Sequence, residues 1–266
     1  MSEYLLAADD VSFRYPGRGA DTLHGITLAL RRGERVGLVG ESGAGKSTIL
    51  KLLLGLDSPT AGAVRFRGAP LNLRDRAGLR GFRSAVQNVF QDPYGALDPR
   101  ASVGRSISEP LRSLGIERDR AALDARVSEL LRAVDLPADA ADRYPHAFSG
   151  GQRQRIAIAR ALAPGPQLIL ADEPVSALDM SVRTQIIELL RGLGRADAAV
   201  PDDNQTGLLL VSHDLSIVAA LCDRVAVLQD GRIVEQGPTA RVLADPQHPY
   251  TRTLLAAIPR LPRAEE

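Results

Sequence analysis

The chain has 266 residues, of which 44% are hydrophobic, and a formal net charge of +1 at pH 7. A near-neutral charge gives no overall attraction to nucleic acid, so nucleic acid is not an expected partner. The single cysteine, Cys222, excludes an internal disulfide and a cysteine-built metal cluster, and we expect it to be a buried apolar side chain. No apolar run of about 18 residues and no leader pattern at residues 1–15 are found, so we expect neither a membrane span nor export.

Apolar patterning predicts antiparallel strands first and an α/β core after them. Residues 5–15 and 23–34 alternate apolar and polar side chains, as half-buried antiparallel strands do. Stretches rich in Val, Ile and Leu without an apolar–polar alternation, typical of strands buried on both faces, occur at 35–40, 167–173 and 207–214. Residues 224–237 predict a hairpin, because Asp-Gly separates two alternating apolar runs.

The middle of the chain carries a different pattern. From about residue 95 to residue 160, strand signals give way to helical ones, and we interpret this region as a helical subdomain inserted within the α/β core. The segment 194–207 is polar and rich in turn-forming residues, so we expect it to be a surface loop.

A glycine-rich stretch with one lysine, GESGAGKST at residues 40–48, lies between a predicted strand and a predicted helix. The phosphate-binding pattern G-x-x-x-x-G-K-[ST] is matched by Gly40, Gly45, Lys46 and Ser47. Glycines let backbone N–H groups turn toward phosphate oxygens, and the following helix presents its positive N-terminus to the same anion. Lys46 is expected to reach the β- and γ-phosphates, and Ser47 to bind Mg²⁺. The stretch predicts a nucleoside triphosphate site.

An acidic pair ends one of the buried strand runs. Asp172 closes the run at 167–173 and is expected to hold Mg²⁺, directly or through water. Glu173 follows it and is expected to polarise the water that attacks the γ-phosphate. Together with the glycine-rich loop, the pair predicts nucleotide hydrolysis rather than binding alone.

The segment FSGGQRQR at residues 148–155 predicts a second anion site. It opens a helix with the small residues Ser149, Gly150 and Gly151, and a helix N-terminus favours negative charge. One chain has no obvious need for two such sites, but a head-to-tail dimer has. Each nucleotide would then lie between the glycine-rich loop of one subunit and residues 149–151 of the other.

These motifs, in this order, resemble those of the ATP-binding cassette (ABC) ATPases over nearly the whole chain. In that family SGGQ is the signature motif, and the resemblance implies that Ser149 and Gly151 contact the γ-phosphate in trans. Gln91 in VFQDP matches the Q-loop glutamine, which touches Mg²⁺ or the attacking water. The implied fold is an α/β P-loop NTPase core of the RecA-like type, with an N-terminal antiparallel β-subdomain and an inserted α-helical subdomain.

Three further matches complete the family pattern. Asp179 in SALD lies in the D-loop that crosses the dimer interface, His213 in VSHD matches the switch histidine at the γ-phosphate, and Tyr15 matches the aromatic that stacks on adenine. The implied catalytic residues are Glu173, His213, Lys46 and Gln91. The implied Mg²⁺ ligands are Ser47, Gln91 and Asp172. The implied ATP-binding residues are Tyr15, Gly40, Glu41, Ser42, Gly43, Ala44, Gly45, Lys46, Ser47, Thr48, Gln91, Asp172, Ser149, Gly150, Gly151, Gln152 and Asp179.

Two stretches narrow the resemblance to one branch of the family. VFQDPYGALDPR at 89–100 and DPQHPYTRTLLAAIPRL at 245–261 resemble the branch that imports oligopeptides, dipeptides or nickel. The resemblance implies an ABC ATPase domain at 1–240 and a branch-type C-terminal tail at 241–266. It also implies membrane permease subunits docked near residues 89–100, and a second ABC ATPase subunit, either a paralogue or a second copy. The remaining implications are an extracytoplasmic solute-binding protein as an indirect partner and a place on the cytoplasmic face of a bacterial membrane.

Several alternatives stay open at this point. A soluble ABC ATPase without a permease, such as an accessory ATPase of carbon–phosphorus bond cleavage, resembles the same branch. Peptide and nickel are not distinguished as substrates. The HPYT segment at 248–251 carries no evident chemistry and is interpreted as a proline-containing lead-in to a terminal helix. We expect the remaining histidines to be surface or capping residues: His24, His146 and His248.

Overall fold

The computed structural model describes residues 4–17, 19–92, 94–176, 178–192 and 205–257. Most of the loop expected at 194–207 and the end of the expected tail, from residue 258, lie outside the described residues. Within them, no helix is both long enough and apolar enough to cross a bilayer.

The N-terminal part of the chain forms an antiparallel sheet with the strand order β2–β1–β4–β5. Its strands are β1 (Leu6–Phe13), β2 (Leu23–Leu30), β4 (Ala61–Phe66) and β5 (Ala69–Pro70). In β2 the side chains of Ile26, Leu28 and Leu30 are buried, while between them Thr27 is exposed and Ala29 is half-buried. The alternation therefore produces the half-buried antiparallel strands that the sequence predicts.

A second, six-stranded sheet forms the centre of the molecule, with the order β10–β9–β3–β8–β7–β6. Its strands are β3 (Arg35–Val39), β6 (Val86–Val89), β7 (Leu168–Asp172), β8 (Gly207–Ser212), β9 (Arg224–Gln229) and β10 (Arg232–Pro238). Five of the strands are parallel, and β10 returns antiparallel to β9 at one edge. The predicted hairpin at 224–237 is therefore confirmed.

Both faces of the six-stranded sheet are covered, which explains why its strands are apolar without alternation. Along β7, Leu168 and Leu170 pack on the side of the antiparallel sheet. Ile169 and Ala171, which point to the opposite face, pack with the helices that follow β6. Each face thus has its own apolar core.

The helices are α1 (Lys46–Leu53), α2 (Arg76–Ala85), α3 (Val103–Ser113), α4 (Arg120–Ala133), α5 (Gly150–Leu162), α6 (Met180–Gly192), α7 (Leu215–Leu221), α8 (Thr239–Ala244) and α9 (Pro249–Ala256). Between β6 and β7 the chain is helical, and α3, α4 and α5 pack on one another. Ser102 and Asp119 accept backbone N–H groups at the starts of α3 and α4, so polar caps fix where these helices begin.

The parallel strands bring three sequence motifs to one edge of the central sheet. The glycine-rich loop follows β3, the acidic pair 172–173 ends β7, and His213 follows β8. Neighbouring parallel strands end at the same edge, which in open α/β sheets is where ligands bind.

Candidate active site

The glycine-rich loop joins the carboxyl end of β3 to the first residue of α1. Gly45 precedes the helix with a φ of 108°, a conformation that residues with a Cβ rarely adopt. Gly40 is required for a different reason, because a Cβ there would lie 2.3 Å from the carbonyl oxygen of Leu228. The two glycines allow the loop to curve tightly in front of the N-terminus of α1.

The Lys46 side chain turns back into this loop. Its ammonium group donates hydrogen bonds to the carbonyl oxygens of Gly40, at 2.6 Å, and Glu41, at 2.9 Å. Burial lowers the pKa of the ammonium, while the nearby carboxylates of Glu173 and Asp172 act in the opposite direction. The positive charge is therefore held in the loop, where the phosphates are expected.

The acidic pair begins where β7 ends. Burial raises the pKa of the Asp172 carboxyl, the charge of Glu173 raises it further, and Lys46 opposes both. Glu173 has a φ of 42°, in the left-handed region that is unfavourable for residues other than glycine. Strained backbone of this kind is concentrated at functional sites.

The Glu173 carboxylate is held from two sides. Gln91 Nε2 donates to one carboxylate oxygen at 3.3 Å and to the Ser176 hydroxyl at 3.2 Å, and His213 Nδ1 lies 3.1 Å from the other carboxylate oxygen. Gln91 follows β6 and His213 follows β8, which are the two neighbours of β7 in the sheet. Strand order therefore assembles an oriented carboxylate that can accept a proton from water.

One cavity of about 780 Å³ connects the loop, the acidic pair and the groups around Glu173. Its walls are Tyr15, Thr22, Gly40, Glu41, Ser42, Gly43, Gly45, Lys46, Ser47, Thr48, Gln91, Asp172, Glu173, His213 and Leu254. The hydrogen-bond donors of the glycine-rich loop and the carboxylates of Asp172 and Glu173 thus line the same cavity.

The SGGQ segment forms the first turn of α5 and lines a second cavity. The Ser149 hydroxyl oxygen accepts the N–H of Gln152, and the side-chain oxygen of Gln152 accepts the N–H of Ser149 at 3.1 Å, which together form a capping box. Ser149, Gly151 and Gln152 line a cavity of about 1110 Å³ whose walls do not include the glycine-rich loop. The two predicted anion sites are therefore separate within one chain.

Comparison with known proteins identifies the family. The family model described as "ABC transporter" matches residues 23–176, more than half of the chain. The chain belongs to the ABC transporter family. A second model, described as the C-terminal region of oligopeptide/dipeptide transporters, matches residues 234–266.

Two Brucella proteins resemble this ABC protein along most of its length. One, from Brucella abortus (strain 2308), is 48% identical over 241 residues, which are 90% of this chain and 69% of the relative. The other, from Brucella ovis, is 45% identical over 259 residues, which are 96% of this chain and 78% of the relative. Both are provisionally named as peptide import ATP-binding proteins.

Two solved structures share the fold. CbiO1 of Clostridium perfringens, described as part of the ABC transporter complex cbiONQ, has a TM-score of 0.78 and 28% identity, covering 92% of each chain. The ATP-binding cassette MJ0796, a dimer in a post-hydrolysis state bound to ADP and Pi, has a TM-score of 0.76 and 30% identity, covering 88% of this chain and 98% of that one. The predicted P-loop NTPase fold of the ABC type is confirmed, and the protein is an ATPase.

Most of the residues predicted for the nucleotide site lie together in the first cavity of this ABC protein. Six predicted residues do not line it: Ala44, Ser149, Gly150, Gly151, Gln152 and Asp179. Ala44 is buried in the core between the two sheets. Asp179 accepts hydrogen bonds from the Val182 N–H, at 3.1 Å, and the Ser181 hydroxyl, at 2.9 Å, and these bonds lower its pKa. In the single chain, Asp179 thus fixes the start of α6.

The oxygen donors in the cavity suit a magnesium ion. Ser47, Gln91 and Asp172 line the cavity together. Mg²⁺ is usually held by one or two carboxylates together with the substrate phosphates, rather than by a full set of protein ligands. The described residues contain no group of three or more His, Cys, Asp or Glu side chains arranged to hold a metal.

Tyr15, which the family resemblance predicts to stack on adenine, lines the cavity. Its hydroxyl lies 3.1 Å from the Thr48 hydroxyl, and its ring meets the edge of Phe13 at a centroid distance of 4.9 Å. The Lys51 ammonium lies 5.9 Å from the ring centroid. The ring is thus fixed to α1, directly behind the glycine-rich loop.

The C-terminal helix α9 contributes to the first cavity, and no sequence pattern predicts this contribution. Leu254 of α9 lines the nucleotide cavity, and the Tyr250 hydroxyl accepts the N–H of Glu41 at 2.9 Å. His248 caps α9, as expected, by accepting the N–H of Tyr250. The interpretation of HPYT as a lead-in to a helix is therefore correct, but the segment also contacts the phosphate-binding loop. Glu41 and Tyr250 are 209 residues apart in the sequence, so no local pattern could have predicted this contact.

Proposed function

We propose that this ABC protein is the ATP-hydrolysing subunit of a membrane importer for peptides. The observation that carries the proposal is the division of the site into two halves, the loop cavity and the SGGQ cavity, on one chain. Two chains arranged head to tail would complete both sites. The match to the C-terminal region of oligopeptide/dipeptide transporters and the names of the Brucella relatives support peptide as the substrate.

In the proposed dimer, each nucleotide is held by residues of both subunits. Lys46 and the N–H groups of the loop bind the phosphates, and Tyr15 stacks on the adenine. Ser149 and Gly151 of the second subunit contact the γ-phosphate, since they begin α5 and a helix N-terminus favours a bound anion. Asp179 belongs to the same interface.

Hydrolysis in the proposed site depends on the cluster around Glu173. Glu173 accepts a proton from the attacking water, and His213 and Gln91 orient the carboxylate. Ser47, Gln91 and Asp172 would hold Mg²⁺, which would neutralise charge on the phosphates.

A groove beside the glutamine loop supports coupling to a permease. This cavity of about 270 Å³ lies between β6, α3 and α5 and includes Phe82 and Asn88 in its walls. At its rim, Leu56 and Phe90 are 60% and 49% exposed, although both are large apolar side chains. Gln91, which contacts Glu173, follows Phe90 directly, so an apolar permease helix in the groove would lie next to the hydrolytic cluster.

The remaining parts of the proposal follow from this coupling. The permease subunits would hold the ATPase at the cytoplasmic face of a bacterial membrane, and a solute-binding protein would deliver the substrate from the other side. The second ATPase subunit is a paralogue or a second copy of this chain. Nickel is the rival substrate, and the family match together with the names of the relatives favours peptides. The same findings favour the importer over the soluble alternative.

The dimer is tested with the Glu173→Gln variant of the full chain. In Mg-ATP, with any co-purified partner subunit present, light scattering on a sizing column should give the mass of a dimer, because ATP binds but is not consumed. The matched control adds Ser149→Asp, which keeps a good helix cap but places a carboxylate against the γ-phosphate. This double variant should remain monomeric. A monomeric Glu173→Gln variant, or dimers of both variants, would refute the shared site.

The transport role needs a separate experiment. Tagged Glu173→Gln protein is captured from detergent-solubilised membranes of its native host in Mg-ATP, and the bound chains are identified by mass spectrometry. Two multi-span permeases are expected, and the wild-type complex reconstituted in vesicles should take up a labelled tripeptide only with ATP. Uptake of nickel but not of the peptide would refute peptide as the substrate and favour nickel. A soluble enzyme complex without permeases would refute the importer.

A further inference from the structure

The C-terminal helix α9 holds one peptide unit of the glycine-rich loop. The N–H of Glu41 donates to the Tyr250 hydroxyl at 2.9 Å. At the other end of the same peptide unit, the carbonyl oxygen of Gly40 accepts a hydrogen bond from Lys46 at 2.6 Å. Both polar groups of the peptide plane are therefore fixed by side chains, so the plane is held against rotation at the start of the loop.

Tyr250 is itself held in place by contacts to the edge of the central sheet. Glu235 of β10 accepts the backbone N–H groups of Gln247, at 2.8 Å, and His248, at 3.0 Å. His248 Nδ1 in turn accepts the N–H of Tyr250 at 3.3 Å. The next residue, Thr251, is almost completely buried. These contacts attach the first turn of α9 to β10. The position of the Tyr250 side chain, whose hydroxyl contacts the glycine-rich loop, is therefore fixed.

Helix α9 also forms part of the wall of the nucleotide cavity. Leu254 lies one turn after Tyr250 and lines the cavity together with the loop residues and Tyr15. Tyr250, Leu254 and Leu255 pack against the apolar core on the helical side of the sheet. Helix α9 therefore contributes the Tyr250 hydroxyl, which contacts the loop, and the apolar Leu254 side chain, which lines the cavity.

We propose that Tyr250 is a positioning residue of the ATP site, through which α9 keeps the phosphate-binding loop in its binding conformation. The inference rests on the proposed role of the loop residues in binding phosphate. A loop that is already ordered loses less conformational freedom when ATP binds, so affinity is higher. The Glu173 carboxylate is held by Gln91 and His213, which leaves the hydrolytic step independent of Tyr250.

The test compares Tyr250→Phe with Tyr144→Phe in the full chain. Each change removes one tyrosine hydroxyl, but Tyr144 is exposed on the helical region and stacks on His146, away from the loop. The dissociation constant of a fluorescent N-methylanthraniloyl ATP is measured for both variants, together with KM, kcat and the melting temperature without nucleotide. One hydrogen bond corresponds to about a two- to tenfold change in affinity.

We expect Tyr250→Phe to raise both the dissociation constant and KM by about two- to tenfold, with kcat within about twofold. The melting temperature without nucleotide should fall by only about 1–6 °C, because one hydrogen bond of the folded chain is lost. Tyr144→Phe should match the wild type in every measurement. Equal affinities of the two variants would overturn the inference, and so would a fall in kcat at unchanged KM. If the wild type itself does not bind the analogue, the proposed loop site is wrong and the inference falls with it.

Discussion

Replacing Glu173 by glutamine tests whether this carboxylate activates the attacking water. The carboxylate oxygens lie 3.1 Å from His213 Nδ1 and 3.3 Å from Gln91 Nε2, so it is oriented before any nucleotide binds. Glutamine has the same shape and keeps one acceptor oxygen, but it does not take up a proton from water. We expect kcat to fall by about 10²–10⁴-fold, equivalent to about 3–5 kcal/mol in the activation barrier. ATP affinity should change little, because Lys46 and the loop are unaltered.

A double-mutant cycle with His213→Ala shows whether the two residues act together. A hydrogen bond to a charged group contributes about 1.5–3 kcal/mol, so His213→Ala alone should slow turnover by roughly 10–150-fold. If His213 acts by orienting the Glu173 carboxylate, His213→Ala should lower kcat much less in the Glu173→Gln background, where the carboxylate is already absent.

The assay is steady-state phosphate release at saturating Mg-ATP, on the assembled complex of the full chain. Tyr144→Phe serves as the control, since it removes a hydroxyl from the surface of the helical region. The reasoning fails if Glu173→Gln retains more than about a tenth of the wild-type kcat. If the fold reduction in kcat of the double variant equals the product of the reductions in the two single variants, Glu173 and His213 act independently.

Three further predictions concern the apo protein. Because burial, with a further contribution from the Glu173 charge, raises the pKa of Asp172, the ionised carboxylate destabilises the fold. Asp172→Asn should therefore raise the melting temperature at pH 7, and the gain should vanish as the pH falls toward the ordinary carboxyl pKa of 3.8; a pH-independent gain would contradict this. A Cβ at Gly151 would lie 2.2 Å from Val182 Cγ1, so Gly151→Ala should cost about 1–3 kcal/mol in urea unfolding. Adding Val182→Ala should recover part of this loss, and no recovery would refute the steric cause. Burial raises the pKa of the Cys222 thiol to about 12, so it should react with a disulfide reagent at pH 8 only after unfolding, and rapid native labelling would contradict this.

The parts of the site that were predictable from sequence have strong local signals. The loop between β3 and α1 combines an apolar strand, glycines at fixed positions and a lysine, and the acidic pair directly follows an apolar run. Parallel strand order then places these motifs at one edge, which follows from the fold class rather than from any single residue. The elements that the sequence did not predict have weaker local sequence patterns. Strand β6 has only four residues, VQNV, and two of them are polar.

The contacts that join distant segments were beyond the reach of sequence patterns. The family resemblance relates Gln91 to Mg²⁺ or the attacking water and His213 to the γ-phosphate, but their shared contact with Glu173 depends on the order β8–β7–β6 in the sheet. Tyr250 meets Glu41 because β10 returns beside β9 and places α9 next to the loop. In the same way, the sequence predicts Gly151 only as part of an anion site, although its missing side chain also lets α5 approach Val182 of α6.

The exposure of the cluster around Glu173 gives a physical reason why two chains should be needed for efficient hydrolysis. The Glu173 side chain is 17% exposed, whereas the His213 side chain is 61% exposed. Water at this end of the cavity screens the interaction between charged groups and phosphate, and a low-dielectric surrounding strengthens it several-fold. In the proposed dimer the SGGQ segment of the second subunit would cover His213 and exclude bulk water. Under this proposal, a single chain would bind ATP without hydrolysing it rapidly, and hydrolysis would depend on dimer closure, as coupling to transport requires.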